Sequence, residues 1–427
     1  MKRTRAALAI VPLSLLLDGC SGAPPLDLLA ESYVKLVLAV GRHDALYVDA
    51  YYGPPAWRTE ASRGEPVPLP DLIATAGALR VSIESAAGPA DRKRYLDKQL
   101  VAIEAHLRRL SGERMSLTDE CRALYDADPP RHDVAEFEAA HRALESLVPG
   151  SGPLGPRIEA VRKAVHIPKP EIANTLRRAL DVAREANARF VKLPTGEDFE
   201  TVLVTGKPWG AYNWYLGKFK SRIELNTDLP TELNGILGTM CHEGYPGHHV
   251  FNVLLEDKLV KGRGWVEYTV YPLYSPQSLL AEGTANVGID ILFSDDERRR
   301  VLTEVLGPPA GVPPDAILAL DRIRDAMTPL KYVNGEAARM LLDEGKAEAD
   351  VAAFVSRWAL TTDERARKSV KFAATYRSYV FNYSLGEDIV RAWIGTGPDR
   401  RQRFYDLLDR PVVPSDLEKR GHSPFPQ

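Results

Sequence analysis

Cysteine is scarce, at 3 in 427 residues. A small secreted scaffold stapled by disulfides is thereby excluded. Charge of one sign is missing as well: 55 Lys and Arg stand against 58 Asp and Glu, for a net charge of -3 and a pI near 6.4. No electrostatic footprint for nucleic acid exists, so none is expected as a partner. No period of about 20 to 50 residues repeats, which argues against a solenoid. What remains is 44% apolar and 26% charged, the balance of an ordinary globular protein with ample chain for a buried core. The 32 prolines sit largely in short loop clusters and read as rigid connections.

The first residues, MKRTRAALAIVPLSLLLDGCSG, place Lys2, Arg3 and Arg5 before an apolar run from Ala6 to Leu17. That is the layout of an export signal, and the run is too short for a comfortable membrane span. It resembles a bacterial lipoprotein signal, with Leu17, Gly19 and Cys20 in the lipobox positions and Asp18 as an awkward member. The expectation is a signal over residues 1–22 and a periplasmic or cell-envelope protein anchored in the membrane through a lipidated Cys20. The alternative is a plain export signal with a chance cysteine.

Beyond the signal, helical spacing dominates. Leu96, Leu100, Ile103, Leu107 and Leu110 fall on one face, and PEIANTLRRALDVAREANARF opens with Pro170 and repeats Ile172, Leu176, Leu180 and Ala183. PGSGPLGP, residues 149–156, divides an N-terminal helical region, 23–150, from a catalytic region, 151–427; GPPAGVPP, 307–314, is a second break. In LGKFKSRIELN, Phe219, Ser221, Ile223 and Leu225 alternate with polar residues, the pattern of a half-buried strand. The fold expected is mostly α, with a small β-sheet beside the active site and two lobes around a cleft.

The chemistry concentrates in LGTMCHEGYPGHHVFNV, residues 237–253. Leu233, Ile236, Leu237 and Met240 form the apolar stripe of a helix with Thr231 as its N-cap. His242 lies above Gly235, Gly238 and Thr239, small residues that leave room for another element to approach. Pro246 lacks an N–H and clashes with the carbonyl four residues back, and Gly247 admits conformations closed to other residues. In a regular helix His248 would stand about 600° from His242, roughly on the opposite side. Two residues bulging at Pro-Gly would restore the register and bring His248 to the place of a second ligand.

H-E-x-x-P-G-H-H resembles the bacterial domain of unknown function 885 family, grouped with gluzincin-type zinc metallopeptidases. LLAEGTANVGID, carrying Glu282-Gly283-Thr284-Ala285, is similar to that family's downstream Glu-Gly-x-Ala segment. Tyr332 and Gly335 match its Tyr-x-x-Gly, and YVDAYYGPPAW, residues 47–57, is similar to its opening segment. Thr284 stands where the family usually has Trp. The resemblance implies a gluzincin-like architecture and zinc-dependent hydrolysis of peptide bonds.

The residues support that chemistry in their own right. His242, His248 and Glu282 offer two imidazoles and a carboxylate, a common make-up of a catalytic zinc site. Glu282 sits in an apolar helix with no Lys or Arg nearby, so it must be protonated or bound to a cation. Glu243, next to a ligand, can take a proton from water and later give it to a leaving amine. His249 is the alternative to His248, and Asp290 is either a partner of a ligand or a polar residue near a helix end. Tyr376, Tyr379 and Tyr383 form a stripe from which Tyr379 or Tyr383 could serve an oxyanion, although core packing explains the stripe equally well. Arg377 could grip a substrate carboxylate or simply be solvated at the surface, and the strand from Lys218 to Asn226 could pair with an extended peptide or be an ordinary edge strand guarded by lysines. The function expected is an exported zinc hydrolase acting on peptides. A zinc amidase or esterase on a non-peptide envelope metabolite, or a non-catalytic partner-binding lipoprotein with a metal site, is the alternative.

Overall fold

Most of the chain is helical. The computed structural model describes residues 24–207 and 209–417, so the signal and Cys20 lie outside the described residues. The helix Ala90–Leu110 buries Leu96, Leu100, Ile103 and Leu107 as their spacing requires, while Leu110 falls half-buried at its end. The same buried face carries Arg92, whose guanidinium grips Glu267 with bonds of 2.6 and 2.9 Å, so neither buried charge is left unpaired. Ile172–Ala188 likewise buries Ile172, Leu176, Leu180 and Ala183.

Among the described residues, two apolar clusters form. The larger runs from Leu26 to Leu417 and takes in the motif helix and the Pro276–Leu292 helix. The smaller packs Phe137, Leu144, Leu154 and Ile158 against Val333, Val351, Trp358 and Val370. Both draw residues from either side of position 150. The 149–156 segment joins the helices Val134–Leu147 and Leu154–Lys163, both of which pack in the smaller cluster. Cys121 and Cys241 are buried free thiols.

Among the described residues, five strands form two small sheets. β2 (Asp198–Val204), β3 (Ala211–Gly217) and β4 (Lys220–Asn226) make one in the order β2-β4-β3, with β2 parallel and β3 antiparallel to β4. β1 (Val48–Tyr51) pairs antiparallel with β5 (Val270–Pro272). Ser221, Ile223 and Leu225 face inward as their alternation predicts. Yet β4 is central and both its edges are filled, so it cannot add an extended peptide. The edges are β2 and β3, strands the sequence reading missed. Phe219 belongs instead to a two-residue turn in which Lys218 and Phe219 adopt φ of 55° and 62°. That left-handed conformation is costly outside glycine. Buried Glu256 offsets it by accepting from the N–H of Lys218 at 3.1 Å and of Phe219 at 3.2 Å.

Candidate metal centre

The helix Leu233–Thr239 buries Leu233, Ile236 and Leu237, with Met240 just beyond, as read. Its N-cap is Glu232, without a side-chain bond, one residue past Thr231. No element approaches the glycine face: nothing lies within 4 Å of a Cβ built on Gly238, and only Glu232 of the preceding turn lies near one on Gly235. The two glycines therefore seat no neighbour among the described residues.

From Met240 to Gly244 the helix widens into a π turn, a form that often accompanies function. The N–H of Tyr245 reaches the carbonyl of Met240 and that of Gly247 reaches Cys241, both at 3.0 Å. Pro246, after a cis peptide bond, has no N–H to give. A new helix begins at His248. Gly247 is dictated by contact, because a Cβ there would lie 1.8 Å from the carbonyl oxygen of His242. The widened turn and the Pro-Gly crossing together bring the Nε2 atoms of His242 and His248 to 3.1 Å.

Glu282 arrives from Pro276–Leu292. This helix passes close to Val380–Ile394: a Cβ on Gly283 would meet the Gly386 carbonyl oxygen at 2.3 Å. Oε2 of Glu282 lies 3.4 Å from His242 Nε2, and Oε1 lies 3.6 Å from His248 Nε2. Ligand atoms of these three residues all lie within 4.8 Å of one another. Zinc–ligand bonds of about 2.0–2.2 Å in a tetrahedron need ligand atoms about 3.3–3.6 Å apart. The observed separations approach that triangle, and Glu282 Oε2 is buried with no hydrogen-bond partner. The donor set and this orphaned oxygen both fit a zinc ion.

The electrostatics point the same way. Burial alone would raise the Glu282 pKa, but His248 and His242 outweigh it and hold the carboxyl well below its usual range. Burial opposes charge on His248, yet Glu282, with Glu243 and Asp49 behind it, raises its pKa to about 9. The pocket favours positive charge. Glu243 is 6% exposed, and burial pushes its carboxyl upward against the pull of His242 and His248. Its backbone carbonyl accepts from Asn213 Nδ2 on β3 at 2.6 Å, which fixes the motif turn to the sheet.

The remaining expected residues divide. Tyr379 reaches the cluster, where its hydroxyl donates to Glu282 Oε1 at 2.7 Å. Tyr383 packs edge-on against Tyr379 with ring centroids 5.8 Å apart and remains 37% exposed. The stripe is not one helix, because the chain breaks at Arg377 with φ of 52°. His249 faces away from the other two histidines, bonding Ser221 through Nδ1 at 2.8 Å and Glu197 through Nε2 at 2.9 Å. Asp290 lies about 12 Å farther along the helix from Glu282, in ion pairs with Arg391 at 2.6 Å and Arg298 at 3.6 Å. Arg377 is held by buried Glu120 at 2.9 Å. Tyr332 donates to Asp388 at 2.8 Å and is stacked on His132, away from the cluster.

Asp49 was missed. It sits on β1 and accepts from the Tyr212 hydroxyl. Burial first, then Glu282 and Glu243, raises its pKa to about 7 against the pull of His248. Its only sequence signal was its place in YVDAYYGPPAW.

No protein-family model and no curated protein matches the chain. Several solved structures resemble it, two of which follow. One is a candidate lipoprotein from Colwellia psychrerythraea, with a TM-score of 0.50 and 15% identity over 81% of this chain. The match spans 65% of that neighbour's length. The other is a candidate lipoprotein of unknown function from Shewanella oneidensis, with a TM-score of 0.46 and 10% identity, covering 91% of this chain and 81% of that one. The Colwellia likeness supports the mostly helical fold. Among the described residues, no helix is long and apolar enough to cross a membrane.

Proposed function

We propose that the protein is an exported zinc hydrolase of gluzincin-like architecture that cleaves peptide bonds, as its resemblance to the domain of unknown function 885 family implies. The observation that carries this reading is the convergence of His242, His248 and Glu282, with the buried Glu282 Oε2 facing His242 Nε2 at 3.4 Å and making no geometrically sound hydrogen bond. Zinc held there would supply a Lewis acid and lower the pKa of water to about 7. Glu243, buried beside His242 with its affinity for protons raised, takes the proton of the attacking water and delivers it to the leaving amine. Tyr379 orients Glu282 through its hydrogen bond, as partners of metal ligands do. Tyr383, partly exposed next to it, is placed to donate to an oxyanion. β3, an edge strand of its sheet fastened to the motif turn by Asn213, is the strand an extended substrate would lie beside.

Anchoring through Cys20 belongs to the same reading, and the description of the Colwellia neighbour as a candidate lipoprotein points the same way. The test is mass spectrometry of a peptide mixture incubated with metal-loaded protein, with chelated protein and Glu243→Gln as controls. New cleavage products that vanish in both controls are expected. Products that persist with chelator would overturn the reading. So would hydrolysis of esters or non-peptide amides but of no peptide, which would leave the metal and change the substrate.

A further inference from the structure

We propose that Glu197 is a positioning residue for His248: through a single carboxylate oxygen it ties down both ends of the turn that carries this ligand. The proposal rests on the metal-centre reading above. Glu197 Oε2 accepts from the Tyr245 hydroxyl at 2.7 Å and is 2.9 Å from His249 Nε2. Tyr245 immediately precedes Pro246, and His249 immediately follows His248. The segment Pro246–Gly247–His248 is thus bracketed on both sides by one oxygen. Tyr245 and His249 are each fully buried.

The bracket matters because this crossing has little backbone support. Pro246 gives no N–H, and the described backbone bonds at the crossing are those from Tyr245 and Gly247 back to the turn and from Phe251 to the Gly247 carbonyl. The rest of the restraint comes from side chains. His249 Nδ1 bonds the Ser221 hydroxyl on β4 at 2.8 Å, and Arg184 Nε donates to the Tyr245 oxygen at 3.0 Å. A carboxylate only accepts, so His249 Nε2 carries the proton, and a neutral ring then accepts from Ser221 at Nδ1. Glu197 precedes β2, which pairs with β4. The ligand-bearing turn is therefore fixed to the sheet on two sides.

Ser221, His249 and Glu197 together look like a hydrolytic triad. They cannot act as one, because Ser221 is 2% exposed and His249 is wholly buried, so no substrate reaches the hydroxyl. The network's reach to the reaction runs through the backbone of His248. Removing Glu197 releases both ends of the crossing while leaving all three expected metal ligands in place.

The experiment compares zinc affinity, by competition with a chromophoric chelator, and the absorption of the cobalt-substituted protein in wild type, Glu197→Ala and Glu197→Gln. Melting is recorded in EDTA in parallel. Loss of a group that orients a ligand weakens metal binding by about 10- to 100-fold, and that is expected for Glu197→Ala, with an altered cobalt spectrum. Glu197→Gln keeps an acceptor oxygen at the same place and should recover most of the affinity. A Glu197→Ala protein that melts earlier but binds zinc with wild-type affinity and spectrum overturns the proposal, because that is the signature of a merely structural role. Should Glu197→Ala fail to fold, Tyr245→Phe removes one tie and keeps the ring. It is expected to weaken binding several-fold, and unchanged affinity would overturn the proposal. Wild type that takes up no zinc overturns both readings, whereas wild type that binds zinc no better than Glu197→Ala overturns this one alone.

Discussion

Replacing Gly247 by alanine tests the geometry of the centre with the smallest possible change, one methyl group. The Cβ would stand 1.8 Å from the His242 carbonyl oxygen and 2.6 Å from that of Cys241. Contacts under 3.0 Å are essentially never tolerated, so about 1.2 Å of separation, 3.0 minus 1.8, must be created. Both obstacles are backbone atoms, which no rotamer change can move. The turn itself has to open, and it links His242 to His248, whose donor nitrogens lie 3.1 Å apart. A displacement of that size is enough to take one imidazole away from a shared ion. The overpacking itself costs about 1–3 kcal/mol, a fall of a few degrees in melting temperature. The natural control is Gly238→Ala on the preceding helix, where nothing lies within 4 Å of the new methyl. An alanine in a helix is favoured over glycine by about 0.5–1 kcal/mol, so that variant should be neutral to slightly stabilised and keep its metal. Zinc content by elemental analysis and melting by differential scanning fluorimetry read both. Full zinc occupancy in Gly247→Ala with an unchanged melting temperature would refute the reasoning about the turn.

Glu243→Gln should leave zinc content intact and lower turnover by about 10²–10⁴-fold, whereas His242→Ala should lose the metal with the activity; zinc loss in Glu243→Gln would instead make Glu243 a ligand. Tyr379→Phe removes a bond to a buried carboxylate, worth about 1.5–3 kcal/mol for a charged acceptor, and should weaken zinc binding measurably in a competition titration while the protein stays folded. Cys20→Ser should move the protein from the membrane fraction to the soluble one; identical fractionation of the two would remove the lipid anchor from the account.

The tertiary structure explains why parts of this centre were legible in the sequence. Local chemistry was sufficient for the Pro-Gly interruption: a residue without an N–H followed by one without a Cβ must break a helix, and the break sits between Glu243 and His248. An acidic residue in an unbroken apolar helix had either to be protonated or to meet a cation, which singled out Glu282. The apolar spacing of Ala90–Leu110 and Ile172–Ala188 likewise fixed which faces are buried. Other features depended on contacts between distant segments. Whether His248 or His249 joins the cluster turns on Glu197 and Ser221, which claim His249 from the sheet side. That β4 is central depends on pairing with β2 and β3, and strand order leaves no trace in the alternation of one strand. Arg377 and Asp290 looked available because their partners Glu120 and Arg391 lie far away in the chain. Asp49, nearly two hundred positions before His242, joins the pocket because β1 pairs with β5 and Tyr212 of β3 bonds its carboxylate. A side chain's type and its immediate neighbours are written in the sequence; what it faces across the fold is decided by packing.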